Sequence, residues 1–168
     1  MKYYINELMK HGTTPFEINE SVDFSSIASQ HHEIRKMSKV VIAGKGQLSG
    51  EDVIFDLNIK CDLILPCALT LEDVKYHMDF DTKEFFTFKE HAKEEDYDYD
   101  MTIVKGQTIE IAPVIWQNII VNIPQRVVSE NAYNKMPKEG ENWQIVDENN
   151  QENKIDPRFS ILKDLLKK

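Results

Sequence analysis

Few residues of this chain could do chemistry, and their spacing narrows what that chemistry would be. Cys61 and Cys67 carry thiols, which can ligate a metal or attack an electrophile once deprotonated, but either task needs partners. A zinc site takes about four ligands, and the histidines do not supply them: His31 and His32 are adjacent, while His11, His77 and His91 are scattered. A nucleophilic Cys67 would need a histidine that nothing in the sequence nominates. The plainer reading is two reduced, partly buried thiols packing as small hydrophobes. Gly44-Lys45-Gly46 fits neither standard phosphate-loop spacing, and no Gly-x-Ser-x-Gly elbow occurs. Carboxylates are plentiful but dispersed. The run Lys93-Glu94-Glu95-Asp96-Tyr97-Asp98-Tyr99-Asp100 reads as a solvated acidic loop at about 91–100. The sharper reading is a docking surface for a basic partner with the tyrosines as anchors. A calcium loop would need a Gly turn and a terminal Glu that are missing here. No catalytic residue, cofactor or metal site is expected, and the chain is not expected to be an enzyme.

The bulk numbers set the frame for these residues. At 168 residues, 41% hydrophobic and 29% charged, the chain reads as a single domain over 1–168. It is long enough to bury a core without disulfide or metal. The net charge of −9, from 29 acidic and 20 basic residues, argues against broad nonspecific binding to nucleic acid, whose phosphates call for a basic face. It leaves room for a basic protein partner, which opposite charge would steer, and for a local basic patch. The candidates for such a patch are His32, Arg35, Lys36 and Lys39, and at the C-terminus Arg158 with Lys163, Lys167 and Lys168. The plainer reading of both clusters is solvated surface and, at the terminus, complement to a helix dipole. No stretch approaches the roughly 18 apolar residues of a membrane helix. Glu7 and the lack of an apolar run after it argue against a signal peptide, so the cytoplasm is the expected location.

The elements that must position these residues follow from periodicity. Ile5 and Leu8 share a helix turn that Gly12 and Pro15 interrupt. Phe16, Ile18, Val22 and Phe24 show strand spacing, and Ser25-Ser26 could cap a short helix through Ala28. Lys39 to Leu48 predicts a strand whose glycines mark a bulge or a close backbone approach. Val53, Phe55, Leu57, Ile59, Cys61, Leu63 and Leu65 alternate without a break, the pattern of a half-buried strand. With the turn Ser49-Gly50-Glu51-Asp52 these two strands form a hairpin. Pro66 ends the second. Val74, Tyr76, Met78 and Phe80 predict a third strand, and Phe85, Phe86 and Phe88 either a short fourth or a packed loop. Ile109, Ala112, Ile115, Trp116, Ile119, Ile120 and Ile123 recur at helix spacing, with Thr108 as cap, Pro113 near the first turn and Pro124 as stop. Trp116 reads as core rather than as a stacking platform for a base. Residues 129–154 read as a flexible or partly ordered segment that Trp143, Ile145 and Val146 could tack back. Asp156-Pro157 opens a terminal helix with the stripe Phe159, Leu162, Leu165 and Leu166. The expected class is α+β: a mainly antiparallel sheet with room to curl toward a barrel, a buried helix near 109–123 and a C-terminal helix.

Three segments in order carry a resemblance. They are Leu65-Pro66-Cys67-Ala68-Leu69-Thr70-Leu71-Glu72-Asp73-Val74, the run from Ile109 to Pro124 that includes Pro113 and Asn118, and Ile155-Asp156-Pro157-Arg158-Phe159 and onward to Leu166. Together they resemble the YceD family of large ribosomal RNA subunit accumulation proteins, in the form found in low-GC Gram-positive bacteria. The resemblance implies a non-enzymatic bacterial factor in 23S rRNA accumulation. Such a factor would bind a ribosomal protein or precursor rRNA during large-subunit assembly. An RNA-unrelated interaction scaffold and an RNA-processing enzyme are the alternatives. The resemblance also gives Pro66, Cys67, Thr70, Leu71, Pro113, Asn118, Pro124, Asp156, Pro157 and Arg158 a functional or structural role. It leaves Arg35, Lys36, Lys39 and Arg158 as candidate contacts to RNA or partner. Many relatives carry Cys-x-x-Cys where this chain has Cys67-Ala68-Leu69-Thr70, and a cysteine cluster before the Asp-Pro-Arg motif where this chain has none.

Overall fold

A computed structural model describes residues 1–93, 95, 97, 100–135, 139–140 and 143–144. In chain order the elements are β1 (Lys2–Tyr4), α1 (Ile5–His11), β2 (Phe16–Val22), α2 (Ser25–Ala28), β3 (Lys36–Met37), β4 (Val40–Ser49) and β5 (Asp52–Pro66). They continue with β6 (Asp73–Thr87), β7 (Met101–Ile103), β8 (Thr108–Glu110), α3 (Ala112–Asn122), α4 (Ala132–Lys135), β9 (Glu139–Gly140) and β10 (Trp143–Gln144). The chain is α+β and mainly antiparallel. Contacts divide it into two units, Met1–Ala132 and Tyr133–Lys168. In the second, β9 and β10 pair antiparallel.

The alternation over 53–65 becomes the inner face of β5. Val53, Phe55, Leu57, Ile59, Cys61, Leu63 and Leu65 are all buried. Fully burying one such side chain is worth about 1.5–3 kcal/mol, whereas an exposed ion pair contributes about 0–1 kcal/mol, so this face holds the sheet together. The order of the sheet is β2-β4-β5-β6-β7, with β3 also on β5. β5 pairs along its length with β6, from Asp52 opposite Thr87 to Pro66 opposite Asp73. Along its other edge it meets β4 and then β3. Between Met37, opposite Leu63, and Val41, opposite Lys60, one extra residue sits on the β3–β4 side, a bulge at Ser38 and Lys39. The sheet stays open, with β2 and β7 at its ends, so it does not close into the barrel that the sequence allowed.

Helices cover the inner face. Ile115 and Ile119 of α3, Ile5 and Leu8 of α1, and Phe24 and Ala28 around α2 join one core with the β5 residues. Phe55 meets Phe86 edge to face at 5.5 Å, and Trp116 packs on Phe24 at 5.8 Å, which gives Trp116 its core role. A second, two-stranded sheet joins β1 to β8, with Tyr3 opposite Ile109. Its pairing ends the helical reading at that point. Ile109 is a strand residue, Thr108 is not a cap, and α3 begins at Ala112 with Pro113 in its first turn. Residues 85–87 are the end of β6 rather than a separate strand. The Ser25-Ser26 cap is replaced by Asp23, whose carboxylate accepts the Ser25 N–H at 2.9 Å.

The glycines of β4 do act as close-approach positions. A Cβ on Gly44 would lie 2.1 Å from the Asp56 carbonyl oxygen, while one on Gly46 would meet the ring of Phe16 at 2.2 Å. Gly50, with φ +66°, takes the first central position of the two-residue β4–β5 turn, the place where a type II′ turn puts Gly. Forcing atoms into a packed site costs about 1–3 kcal/mol, and a backbone yields less than a ring that can rotate. Gly44→Ala is therefore expected to destabilise more than Gly46→Ala in urea unfolding at equal m. Equal losses would show that β4 has room at Gly44.

Candidate functional site

The β5–β6 connection, residues 67–72, holds three of the sequence-nominated positions, Cys67, Thr70 and Leu71. Cys67 N–H donates to the Glu72 carbonyl at 2.8 Å and Leu71 N–H to the Cys67 carbonyl at 2.9 Å, closing a tight turn. Leu71 has φ +59°, a left-handed conformation uncommon for a branched side chain. The Arg35 guanidinium donates to the Leu71 carbonyl at 2.7 Å and ion-pairs with Asp73, a two-point clamp that suits the planar fork of arginine. From the other side, the chain leaving α3 past Pro124 docks on the loop. Ala68 N–H donates to the Val127 carbonyl at 2.8 Å, and Ser129 N–H to the Cys67 Sγ at 3.4 Å. Arg35, Pro66, Cys67, Thr70 and Leu71 thus meet in one place, with Arg35 engaged in holding the loop. Lys36 lies on β3 and Lys39 in the bulge, both exposed. Lys39 reinforces the hydrogen bonds from Ser25 that hold the Asp23 carboxyl below its ordinary range.

Cys67 and Cys61 are both buried, yet their thiols are shifted in opposite directions. At Cys61, burial dominates and pushes the thiol up to about 11. At Cys67, hydrogen bonds from the Thr70 hydroxyl and the Ser129 amide, aided by the Leu69 and Thr70 amides, outweigh burial and bring it down to about 6. Thr70, at the place of the second cysteine in the Cys-x-x-Cys pattern of relatives, thus contributes a donor in place of a second thiol. Its hydroxyl oxygen also lies 3.4 Å from a Glu72 carboxylate oxygen, so the two acceptors compete for its single hydrogen. Among the described residues no three His, Cys, Asp or Glu side chains are grouped to hold a metal ion.

A second polar group sits where α3 crosses β6. On the inner face of β6, Thr82 and Glu84 interrupt an otherwise apolar row. Thr82 donates to Glu84 at 2.6 Å, and the Asn118 amide donates to Glu84 at 2.8 Å and to the Val114 carbonyl at 2.9 Å. Asn118 is thereby assigned a structural task, satisfying a carboxylate at the rim of the core. Beside this trio opens a cleft of about 600 Å³, lined by Glu84, Asp100, Thr102, Gln117 and Asn118 among others. Sequence reading missed it, because Thr82 and Glu84 looked like the end of a strand. Asp156, Pro157 and Arg158 lie outside the described residues.

Residues 55–166 match the family described as large ribosomal RNA subunit accumulation protein YceD. That span runs from near the start of β5 through the Cys67 loop, the Glu84 cleft and α3, so the chain belongs to the YceD family. It is 34% identical over 169 aligned positions, covering 99% of this chain and 97% of the relative, to the uncharacterized protein YlbN of Bacillus subtilis (strain 168). No solved structure matches it. Among the described residues no helix is long and apolar enough to cross a membrane.

Two outcomes follow from the loop. Because the Cys67 thiol is depressed from 9.0 to about 6 in the folded chain, the folded state binds fewer protons than the unfolded one between these values. Stability then rises with pH across that window and is lost as pH falls through the lower value. Wild type minus Cys67→Ala, measured by urea unfolding at several pH values, is expected to show that rise. Thiolate absorbance titrating near 9.0 would refute the depressed value. For the clamp, Arg35→Ala is expected to speed amide exchange at Leu71 and Cys67 while leaving β5 protection unchanged. Faster exchange throughout β5 would instead make Arg35 part of the global core.

Proposed function

We propose that this chain is a non-enzymatic cytoplasmic factor in 23S rRNA accumulation and large-subunit assembly, and that its direct partner is a basic protein of that subunit. The observation that carries the first half is the family match, which spans two thirds of the chain and includes both polar sites. The second half rests on charge. The net charge is −9, and two lysines of the outer sheet face are neutralised by cross-strand neighbours. Lys60 pairs with Asp79 at 2.8 Å and Lys83 with Asp56 at 3.3 Å, while the His77 ring lies 2.7 Å from an Asp62 carboxylate oxygen. Arg35 is held by Asp73. Phosphate backbones are bound by cations free to displace counterions, and a face laced in this way supports protein contact better. The polar groups described serve each other, as donors to Cys67 and Glu84, which supports a binding role over catalysis.

The test has two arms. Depleting the protein from growing cells should lower 23S relative to 16S rRNA. A tagged pull-down at low and moderate salt should retain one large-subunit protein while associated RNA falls away as ionic strength rises. Normal 23S levels would sink the assembly reading. RNA retained at moderate salt without any ribosomal protein would make RNA the partner.

A further inference from the structure

Pairing parity shows which way each backbone group of β6 points. Cys67 N–H donates to the Glu72 carbonyl, so 67 and 72 form a hydrogen-bonded pair of the β5–β6 ladder. In an antiparallel ladder such pairs alternate with non-bonded ones. Even-numbered β6 residues therefore bond to β5, and odd-numbered ones turn N–H and C=O away from it. The Thr87 carbonyl confirms this independently by accepting Val104 N–H from the β7 side at 2.8 Å. Among the described residues β7 occupies that edge only opposite Phe85–Thr87. Over Asp73, Lys75, His77, Asp79, Asp81 and Lys83 no described strand lies beside it, and all of these side chains are exposed. Among the described residues this is a long open sheet edge, the template for an added strand.

The side chains along the edge restrict what can be added. Every residue whose backbone faces outward carries an ionisable group, which excludes an apolar strand. The charges are not evenly cancelled. Lys83 turns back to Asp56 and Asp79 is met by Lys60. Asp81 is met by the neutral amide of Asn58 at 2.8 Å, and Glu84 by Thr82 and Asn118. Glu84 and Asp100 line the cleft that opens where the free stretch of edge ends, together with Lys83, whose ammonium is taken by Asp56. No cation pairs with Asp81, Glu84 or Asp100 among the described residues.

We propose that an extended basic segment of the partner protein adds to β6 over 73–83 as a further strand, with a lysine or arginine seated in the cleft against Glu84 and Asp100. This deepens the assembly reading and rests on it for the partner's identity. Backbone bonding supplies affinity without sequence demands, and the acidic end sets the register. Lys75, a cation on the free edge, disfavours a lysine beside it and helps fix which end of the segment lies at the cleft.

The probe is a synthetic peptide of about ten residues, long enough to span the edge at roughly 3.3 Å per residue, with two adjacent lysines at one end and threonine elsewhere. Added to the full chain, it should shift the amide resonances of Lys75, His77, Asp79 and Asp81 and the Asn118 side-chain amide. Methylating alternate peptide nitrogens on the bonding edge should abolish these shifts, and methylating the other set should not. Asp81→Asn combined with Glu84→Gln should weaken binding about tenfold, as expected for loss of close charge pairing. Asp81→Asn alone, which leaves the Glu84 hydrogen bonds intact, should weaken it less. Replacing the lysines by glutamate should eliminate binding. No shift along β6, or insensitivity to methylation, overturns the proposal. So does a 23S precursor fragment that shifts these amides when the peptide does not. If the pull-down recovers a large-subunit protein equally well with the doubly substituted chain, the edge proposal falls while the assembly reading stands.

Discussion

The structure depends on the inward row of β5. Its inward side chains from Val53 to Leu65 are buried, and no other described strand or helix buries as many. Since a strand can bury such a row only if its backbone groups are bonded on both edges, β5 requires β6 on one side and β4 with β3 on the other. The helices then have one face to cover, and α1, α2 and α3 each supply the apolar residues that do so. The glycines at 44 and 46 and the bulge at Ser38 and Lys39 are what a long, twisted strand demands of its neighbour: backbone contact without side-chain bulk, and one extra residue where the twist would otherwise break the register.

Both polar groups described above lie at the limits of that row. The Cys67 loop is where β5 stops, and the trio of Thr82, Glu84 and Asn118 is where the inner face of β6 runs out from under α3. Each is resolved by donors drawn from a distant segment, Ser129 in the first case and Asn118 in the second. The two sites are therefore linked through α3 and the chain that follows it. A family match that begins within β5 and continues past α3 covers this whole circuit.

Much of this was legible in the sequence. Strict alternation revealed β5 and the first half of β6, Gly50 the hairpin, and Pro124 the end of α3. What stayed hidden was set by tertiary pairing. Thr82 and Glu84 broke the apolar pattern because their partner is Asn118, far along the chain, so β6 looked half its length. Ile109 kept helical spacing with Ile115 and Ile119 but was claimed by β1, a pairing between residues near opposite ends of the first unit. The motif residues Pro66, Cys67, Thr70 and Leu71 stood out by resemblance. Why Arg35 belongs with them could not be read locally, since its partners are the Leu71 carbonyl and Asp73.

The union of β1 with β8 has a consequence for how this protein is made. Lys2 pairs with Glu110, and the Ile111 N–H reaches the carbonyl of Met1 at 3.4 Å. The residues of β1 therefore wait for a strand synthesised after the whole main sheet. The hairpins β4–β5 and β5–β6 join neighbours in sequence and can form early, whereas the closing strand pair is among the most non-local contacts in the chain, the kind that slows folding. During synthesis β1 remains unclaimed until β8 is made, immediately before α3 follows to cover the inner face.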